Sequence, residues 1–422
     1  MTYIRVRTSG PLSGTVQISG AKNAALPILA ASLLGEDTIY LDGVPPLKDV
    51  ELMIEVLRSL GARVERTGED AMIIHPQGVC QYEPPYDLVN QMRASFVVMG
   101  PLLARFGRAK TGLPGGCSIG KRPVDLHLKG FMALGASITE GTEEIEAKAS
   151  SGGLIGNLVY LDFPSVGATQ NIMMAAVHAK GETRIENAAR EPEIVDLANF
   201  LNKLGAKVRG AGTSTIDIKG VEKLGGARHT IIPDRIEAST FLVAAAITDG
   251  QVRVENVIAQ HIRPILAKLQ EVGCDIQESE DEDTIIIHAN GRPKATKIRT
   301  LPYPGFPTDV QAQFMALTTI SRGQSQVEET VFENRFMHVD ELNKMGALIV
   351  TSGNEAVIRG VDHLVGAKVQ ATDLRAGAAL VLAGLVAEGE TRVSNVYHLD
   401  RGYYHFEEKL RGLGADIARI EE

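Results

Sequence analysis

A short signature recurs six times in this 422-residue chain: an apolar residue, a glycine, a small residue and, two places on, a β-branched or aliphatic one. The copies are Leu60-Gly61-Ala62, Leu134-Gly135-Ala136, Leu204-Gly205-Ala206, Val272-Gly273-Cys274, Met345-Gly346-Ala347 and Leu413-Gly414-Ala415, with successive glycines 68 to 74 residues apart. Each copy closes an amphipathic helical pattern, such as Ile262 to Val272. The glycine supplies the left-handed residue that ends the helix, and a strand follows. Upstream lies a second helical pattern, clearest from Asp234 to Ile247, which runs into an alternating strand from Gly250 to Val257. Each unit therefore reads strand–helix–strand–helix–strand–strand.

A unit of about 70 residues cannot bury two helices by itself, so neighbouring units must share cores. The helices centred on Ile172, Ala244 and Ala379 are apolar on all sides, the pattern of a buried helix. This predicts an α/β fold class with sheets packed outside buried helices: two similar inside-out α/β domains, each of three βαβαββ repeats. An extended solenoid is the other arrangement that repeats of this length form.

The net charge is −9, which offers no broad basic field for nucleic acid or anionic lipid, so an anionic ligand must be held by local Lys and Arg clusters. The first ten residues hold no apolar core of signal-peptide length, and the run Ala376 to Ala387 is too short to span a bilayer. No membrane insertion and a cytoplasmic location are expected. Cys80, Cys117 and Cys274 lie far apart with no CxxC, which speaks against a disulfide framework or a metal site.

Four features concentrate polar chemistry. In Ser19-Gly20-Ala21-Lys22-Asn23 a glycine turn runs into a helix start, a setting for phosphate or carboxylate, or simply a surface Lys beside a cap. The loop Gly112 to Asp125 nearly satisfies a phosphate-loop pattern through Gly115 and Gly120-Lys121. Arg122 stands where the magnesium-binding hydroxyl would be, so a nucleotide triphosphatase is rejected. What remains is a thiol, Cys117, beside two cations and outside any apolar run. Asp309, after the turn Tyr303 to Pro307, is either a helix cap or a general base. Four arginines, Arg93, Arg335, Arg375 and Arg401, stand at helix starts or turns, where a rigid fork suits carboxylate or phosphate.

These residues closely resemble the enolpyruvyl transferases, and within them the branch that acts on UDP-N-acetylglucosamine. The resemblance runs from Gly10 to Asp416 and is carried by Gly20 to Pro27, Met92 to Ser95, Leu113 to Gly120, Arg122 to His127, Pro233 to Glu237, Phe306 to Gln313, Phe332 to His338 and Thr372 to Gly377. It implies one domain of 22–232 and another joining 1–21 to 233–422, closing over the substrates. It implies transfer of the enolpyruvyl group of phosphoenolpyruvate to the sugar 3-hydroxyl, the first committed step of peptidoglycan synthesis, by a monomer without cofactor or metal. Cys117 is then the general acid on the methylene carbon of phosphoenolpyruvate, able to form an adduct with it, and Asp309 takes the hydroxyl proton. Lys22, Arg122 and Arg401 neutralise phosphoenolpyruvate, joined by Arg375. Asn23, Arg93, Arg122, Pro123, Val124, Asp125, Leu126, Ser165, Val166, Gly167, Asp309 and Val331 hold the sugar nucleotide. Two rivals share the fold: the sister activity on shikimate 3-phosphate, and a catalytically silent UDP-sugar binding protein. The thiol loop argues against the first, and the joint presence of Cys117, Asp309, Lys22 and Arg401 against the second.

Overall fold

The computed structural model describes residues 2–112, 124–279 and 283–421, with Arg93 described by its backbone alone. The described chain forms two compact units, one of residues 2–19 and 233–421, the other of 20–112 and 124–232.

The repeat is seen whole in the second of these. Strand Leu158–Tyr160 leads through helix Val166–Ala176 to strand Glu182–Glu186, which lies parallel to it with Arg184 opposite Leu158. Helix Pro192–Leu204 follows, and the hairpin Lys207–Arg209 and Thr215–Lys219 completes the sheet antiparallel. Along Thr215–Lys219, Ile216 and Ile218 are buried while Asp217 is exposed, the alternation of a sheet with one wet face. Among the described residues, five four-stranded sheets and one of three strands are built this way, and a two-stranded ribbon is added.

The second repeat departs from the expected grammar. Its sheet has three strands, Arg108–Gly112, Glu144–Ala149 and Ala136–Glu140. Where the first strand would lie, the Lys110 N–H donates to the Tyr82 carbonyl at 3.0 Å, but Pro84 and Pro85 follow and remove the donors that a ladder needs.

The helices sort into two kinds. Arg235–Ile247, Gln311–Thr319 and Leu374–Val386 pack against one another, and nearly every residue in them is buried. Outer helices such as Arg263–Glu271 bury one face only, here Ile265, Leu266 and Leu269. The inside-out arrangement follows: a helix apolar all round has no face for water, so it lies inside and the sheets cover it.

All six signature glycines adopt positive φ, from 86° at Gly135 to 113° at Gly273. At each, the glycine N–H donates to the carbonyl three residues back, as from Gly61 to Arg58 at 3.0 Å. In every copy but the second the next N–H reaches five back, as from Ala206 to Leu201 at 3.0 Å. An L side chain at the glycine would be strained in that conformation.

Strands distant in sequence close each unit. Thr2–Arg7 lies between Glu390–Ser394 and Ile417–Glu421, and Arg228–Thr230 runs parallel to Ile39–Asp42.

Candidate active site

In the unit of 2–19 and 233–421 the buried helices present their starts to one cluster. Asp309 lies in the short turn Thr308–Val310 ahead of helix Gln311–Thr319, and no side chain caps either element. The cap reading of Asp309 is therefore replaced. Its Oδ1 accepts from Arg335 Nη2 at 2.8 Å and its Oδ2 from Arg375 Nη2 at 3.1 Å. Both arginine side chains are 4% exposed and the carboxylate 27%. Arg375 is placed by its own helix start, where Asp373 Oδ1 accepts from the Arg375 and Ala376 N–H groups at 2.8 and 3.1 Å. Burial works against the Arg375 charge, but the carboxylates, Asp309 first and then Asp234, outweigh it and hold the guanidinium above its ordinary range.

A carboxylate with one wet edge, held from behind by two forks, is oriented to take a proton without a large rearrangement. Around it, Glu329 is buried and ties the neighbouring loop down. It accepts from Thr308 Oγ1 at 2.9 Å, from Thr300 Oγ1 at 2.8 Å and from the Val331 N–H at 2.8 Å. Val331, a residue the resemblance assigns to the sugar nucleotide, is thus fixed within reach of the Asp309 turn.

Arg401 ends the segment Val396–Arg401, whose Asp400 is clamped by Arg419 through Nη1 at 3.1 Å and Nη2 at 2.6 Å. Burial first, and then the Arg401 charge, push the His398 imidazole below its ordinary value, with Asp373 opposing.

His338 is 1% exposed, and burial drives its pKa down to about 4; Asp373 opposes the shift and the Arg335 charge adds to it. The folded value lies below the unfolded one, so the unfolded chain binds this proton more readily. The stability contributed by the neutral ring is complete above about pH 6.5 and is lost as pH falls toward about 4. His338→Gln is expected to retain about 2 kcal/mol more of its neutral-pH stability at about pH 5 than the unaltered chain does. Urea unfolding of both proteins at the two pH values checks this, and parallel losses would refute it.

In the other unit, Lys22 is the first residue of helix Lys22–Ala31 and pairs with Asp49 at 3.2 Å, both side chains nearly buried. Asn23 follows on the same turn. Three further predicted elements meet through Asn171. Its Nδ2 donates to the Phe96 carbonyl at 3.0 Å and lies 2.9 Å from His127 Nδ1, while its Oδ1 accepts from the Gly100 N–H at 2.6 Å. Phe96 belongs to the turn Arg93–Val98, and His127 to helix Asp125–Ala133, which carries Asp125 and Leu126 behind Val124. Asn171 belongs to helix Val166–Ala176, capped by Ser165, whose Oγ accepts from the Ala168 N–H at 3.3 Å. A Cβ on Gly167 would lie 3.1 Å from the His127 ring. So Ser165, Val166 and Gly167 sit beside the start of the helix that carries Asp125 and Leu126.

Cys117, Arg122 and Pro123 lie outside the described residues, as does the Arg93 side chain. Sequence reasoning missed Thr240, Gln313, His338, Glu329 and Tyr403. Thr240 and Gln313 had left a trace as polar residues in buried helices, a mark they share with Glu237, Ser239 and Gln311. An open cleft of about 450 Å³, lined by Glu36, Arg105, His178 and Lys180 among others, contains none of the predicted residues.

The family model described as EPSP synthase (3-phosphoshikimate 1-carboxyvinyltransferase) matches residues 6–410, and the chain belongs to that family of enolpyruvyl transferases. Solved structures agree on the fold: the enolpyruvyl transferase NikO from Streptomyces tendae has a TM-score of 0.89 at 24% identity, covering 99% of each chain. EPSP synthase from Acinetobacter baumannii has a TM-score of 0.76 at 19% identity, covering 100% of each. Within the family, this chain falls among the UDP-N-acetylglucosamine 1-carboxyvinyltransferases. It is 66% identical to that of Finegoldia magna over 100% of this chain and 99% of the relative. It is 61% identical to the one numbered 2 of Carboxydothermus hydrogenoformans, over 97% of each.

Proposed function

We propose that this chain transfers the enolpyruvyl group of phosphoenolpyruvate to the 3-hydroxyl of UDP-N-acetylglucosamine, releasing phosphate, in the cytoplasm and at the entry to peptidoglycan synthesis. The observation that carries this reading is the 66% identity to an enzyme of that name along the whole chain. The sister activity on shikimate 3-phosphate is carried by a structural relative at only 19% identity.

In this reading the sugar hydroxyl adds to the enol carbon of phosphoenolpyruvate. Asp309 takes its proton while the Cys117 thiol delivers one to the methylene carbon. The adduct then loses a methyl proton and expels phosphate. Oxocarbenium character develops during addition, and fixed cations help the phosphate depart. Lys22, Arg122, Arg375 and Arg401 supply those cations. Asn23, Arg93, Arg122, Pro123, Val124, Asp125, Leu126, Ser165, Val166, Gly167, Asp309 and Val331 hold the sugar nucleotide. An unperturbed thiol, pKa about 8.5, is mostly protonated at neutral pH and can donate.

Phosphate release from phosphoenolpyruvate, with UDP-N-acetylglucosamine or shikimate 3-phosphate as acceptor in separate reactions, tests the assignment. Release with the sugar nucleotide alone, lost in Cys117→Ala, is expected; release with neither from folded protein would favour a silent binding protein. Fosfomycin, an epoxide phosphonate that mimics phosphoenolpyruvate, is expected to inactivate the enzyme by alkylating Cys117. Mass spectrometry finding no adduct on that residue would overturn this.

A further inference from the structure

Near Asp309 lie a buried group with no part in the reaction as written and a buried donor that the described residues leave unused. One is the phenol of Tyr403, 4% exposed. The other is Nη1 of Arg375, a buried donor with no hydrogen-bond partner among the described residues.

The two are neighbours. The Arg375 guanidinium carbon lies 5.3 Å from the centroid of the Tyr403 ring, within cation–π range. The ring is held from two sides. Its hydroxyl is 2.8 Å from Thr240 Oγ1 and accepts from Gln313 Nε2 at 3.1 Å. The ring packs on Phe406 at 4.7 Å between centroids, with the two rings tilted by 36°, and Phe406 packs on Phe241 at 5.8 Å. Thr240, Gln313 and Arg375 lie on the three buried helices of this unit, one from each repeat. Gln313 Nε2 also donates to the Asp309 carbonyl at 2.9 Å, so the same amide fixes the turn that carries the carboxylate. Next to the ring, Gly402 lies so close to Leu374 that a Cβ there would meet its side chain at 2.5 Å.

We infer that Tyr403 is a positioning residue for Arg375: its pinned ring and Asp309 together hold the guanidinium so that Nη1 is presented to an anionic group of the substrate. The inference rests on the activity proposed above, in which Arg375 receives phosphoenolpyruvate. An ordinary core tyrosine needs only a partner for its hydroxyl and apolar neighbours for its ring. Here the ring faces a buried cation, and the cation keeps an unused donor. An arginine is a long, freely rotating side chain, and fixing it before substrate arrives removes that ordering cost from the binding step. Burial raises the Tyr403 phenol above its ordinary value, with Arg375 and the Thr240 bond opposing, so the phenol stays neutral in the folded chain. It therefore acts on Arg375 through its ring and its hydrogen bonds rather than as a counter-ion.

The test is a double-mutant cycle on the full chain, read by phosphate release, with KM measured for each substrate. Tyr403→Met keeps most of the volume and removes the ring; it is expected to lower kcat/KM for phosphoenolpyruvate about ten-fold. The KM for UDP-N-acetylglucosamine should move less than about two-fold, because Gln313 keeps its bonds to Thr240 and to the Asp309 carbonyl when the phenol is gone. Tyr403→Phe keeps the ring and should lie within about three-fold of the unaltered chain. In the Arg375→Ala background neither substitution should cost anything further. Equal losses in both backgrounds, or a parallel rise in both KM values, would overturn the positioning role and leave Tyr403 a core residue. If Tyr403→Met does not fold, Tyr403→Leu, which also removes the ring, enters the same cycle with the same criteria. Absence of phosphate release by the unaltered chain would overturn the activity, and this role with it.

Discussion

Asp309→Asn is expected to lower turnover by about a hundred- to ten-thousand-fold, the range over which a positioned general base acts. The amide has the size of the carboxylate and can still accept a hydrogen bond from Arg335 or Arg375, so the site keeps its shape. It cannot take a proton from the sugar hydroxyl. A second effect accompanies the first. Arg335 and Arg375 are buried and converge on this one carboxylate. Neutralising it takes away the one carboxylate on which both guanidinium groups converge, which should cost about 3 kcal/mol of stability. Asp309→Glu separates the two effects: it restores the negative charge, and with it most of the stability, but moves the carboxylate by a methylene from where the hydroxyl arrives. Low turnover in both variants with recovered stability only in Glu is the expected pattern, read by phosphate release and urea unfolding. Turnover of Asp309→Asn within ten-fold of the unaltered chain would reduce Asp309 to a counter-ion.

That pattern also marks how far the sequence was readable. The repeats are legible because helix termination is local: a glycine that must adopt positive φ needs only its own turn to show itself, and all six do. Buried helices were legible from composition, since residues such as Ala378 to Leu385 leave no polar face. The shortened sheet of the second repeat could have been foreseen from Pro84-Pro85, two adjacent residues without a backbone donor. At the site the position is different. From its own stretch of sequence, Asp309 after a proline turn reads first as a cap, because a cap is a local interaction and its neighbours permit it. Its actual partners, Arg335 and Arg375, lie 26 and 66 residues away, and only packing of the repeats brings them to it. Tyr403 left no signal of its own, for an isolated tyrosine beside Gly402 carries no period and no motif. Its partner Thr240 lies 163 residues away. What a single sequence shows of such a cluster is its polar members inside apolar helices, and Thr240 and Gln313 are of that kind.

Gly20→Ala is expected to cost more than about 3 kcal/mol of stability, an exceptional value for adding one methyl group. A Cβ on Gly20 would fall 1.7 Å from the carbonyl oxygen of Gly43, a bonding distance rather than a contact, so one of the two backbones must move. Neither is free to do so. The Ala21 N–H donates to Ile232 at 2.8 Å, and the Ala21 carbonyl accepts from Ala24 and Ala25 at 3.1 and 2.9 Å as helix Lys22–Ala31 begins. On the other side the Val44 N–H donates to Asp70 at 2.7 Å, and Gly43 itself sits at φ 72°. Any relief therefore breaks these hydrogen bonds or displaces the start of the helix, and Lys22 is its first residue. Fold and chemistry are joined here, because the close approach that only glycine permits sets Lys22 at 3.2 Å from Asp49. Hydrogen exchange should lose protection in 22–34 and 39–44, and phosphate release should fall at least about ten-fold, as expected when a positioning element shifts by an ångström. Gly68→Ala is the control, since its Cβ would meet only Ala71 at 3.6 Å and should cost less than about 1 kcal/mol. If Gly20→Ala were as stable and active as that control, the approach of the two backbones could not be what places Lys22.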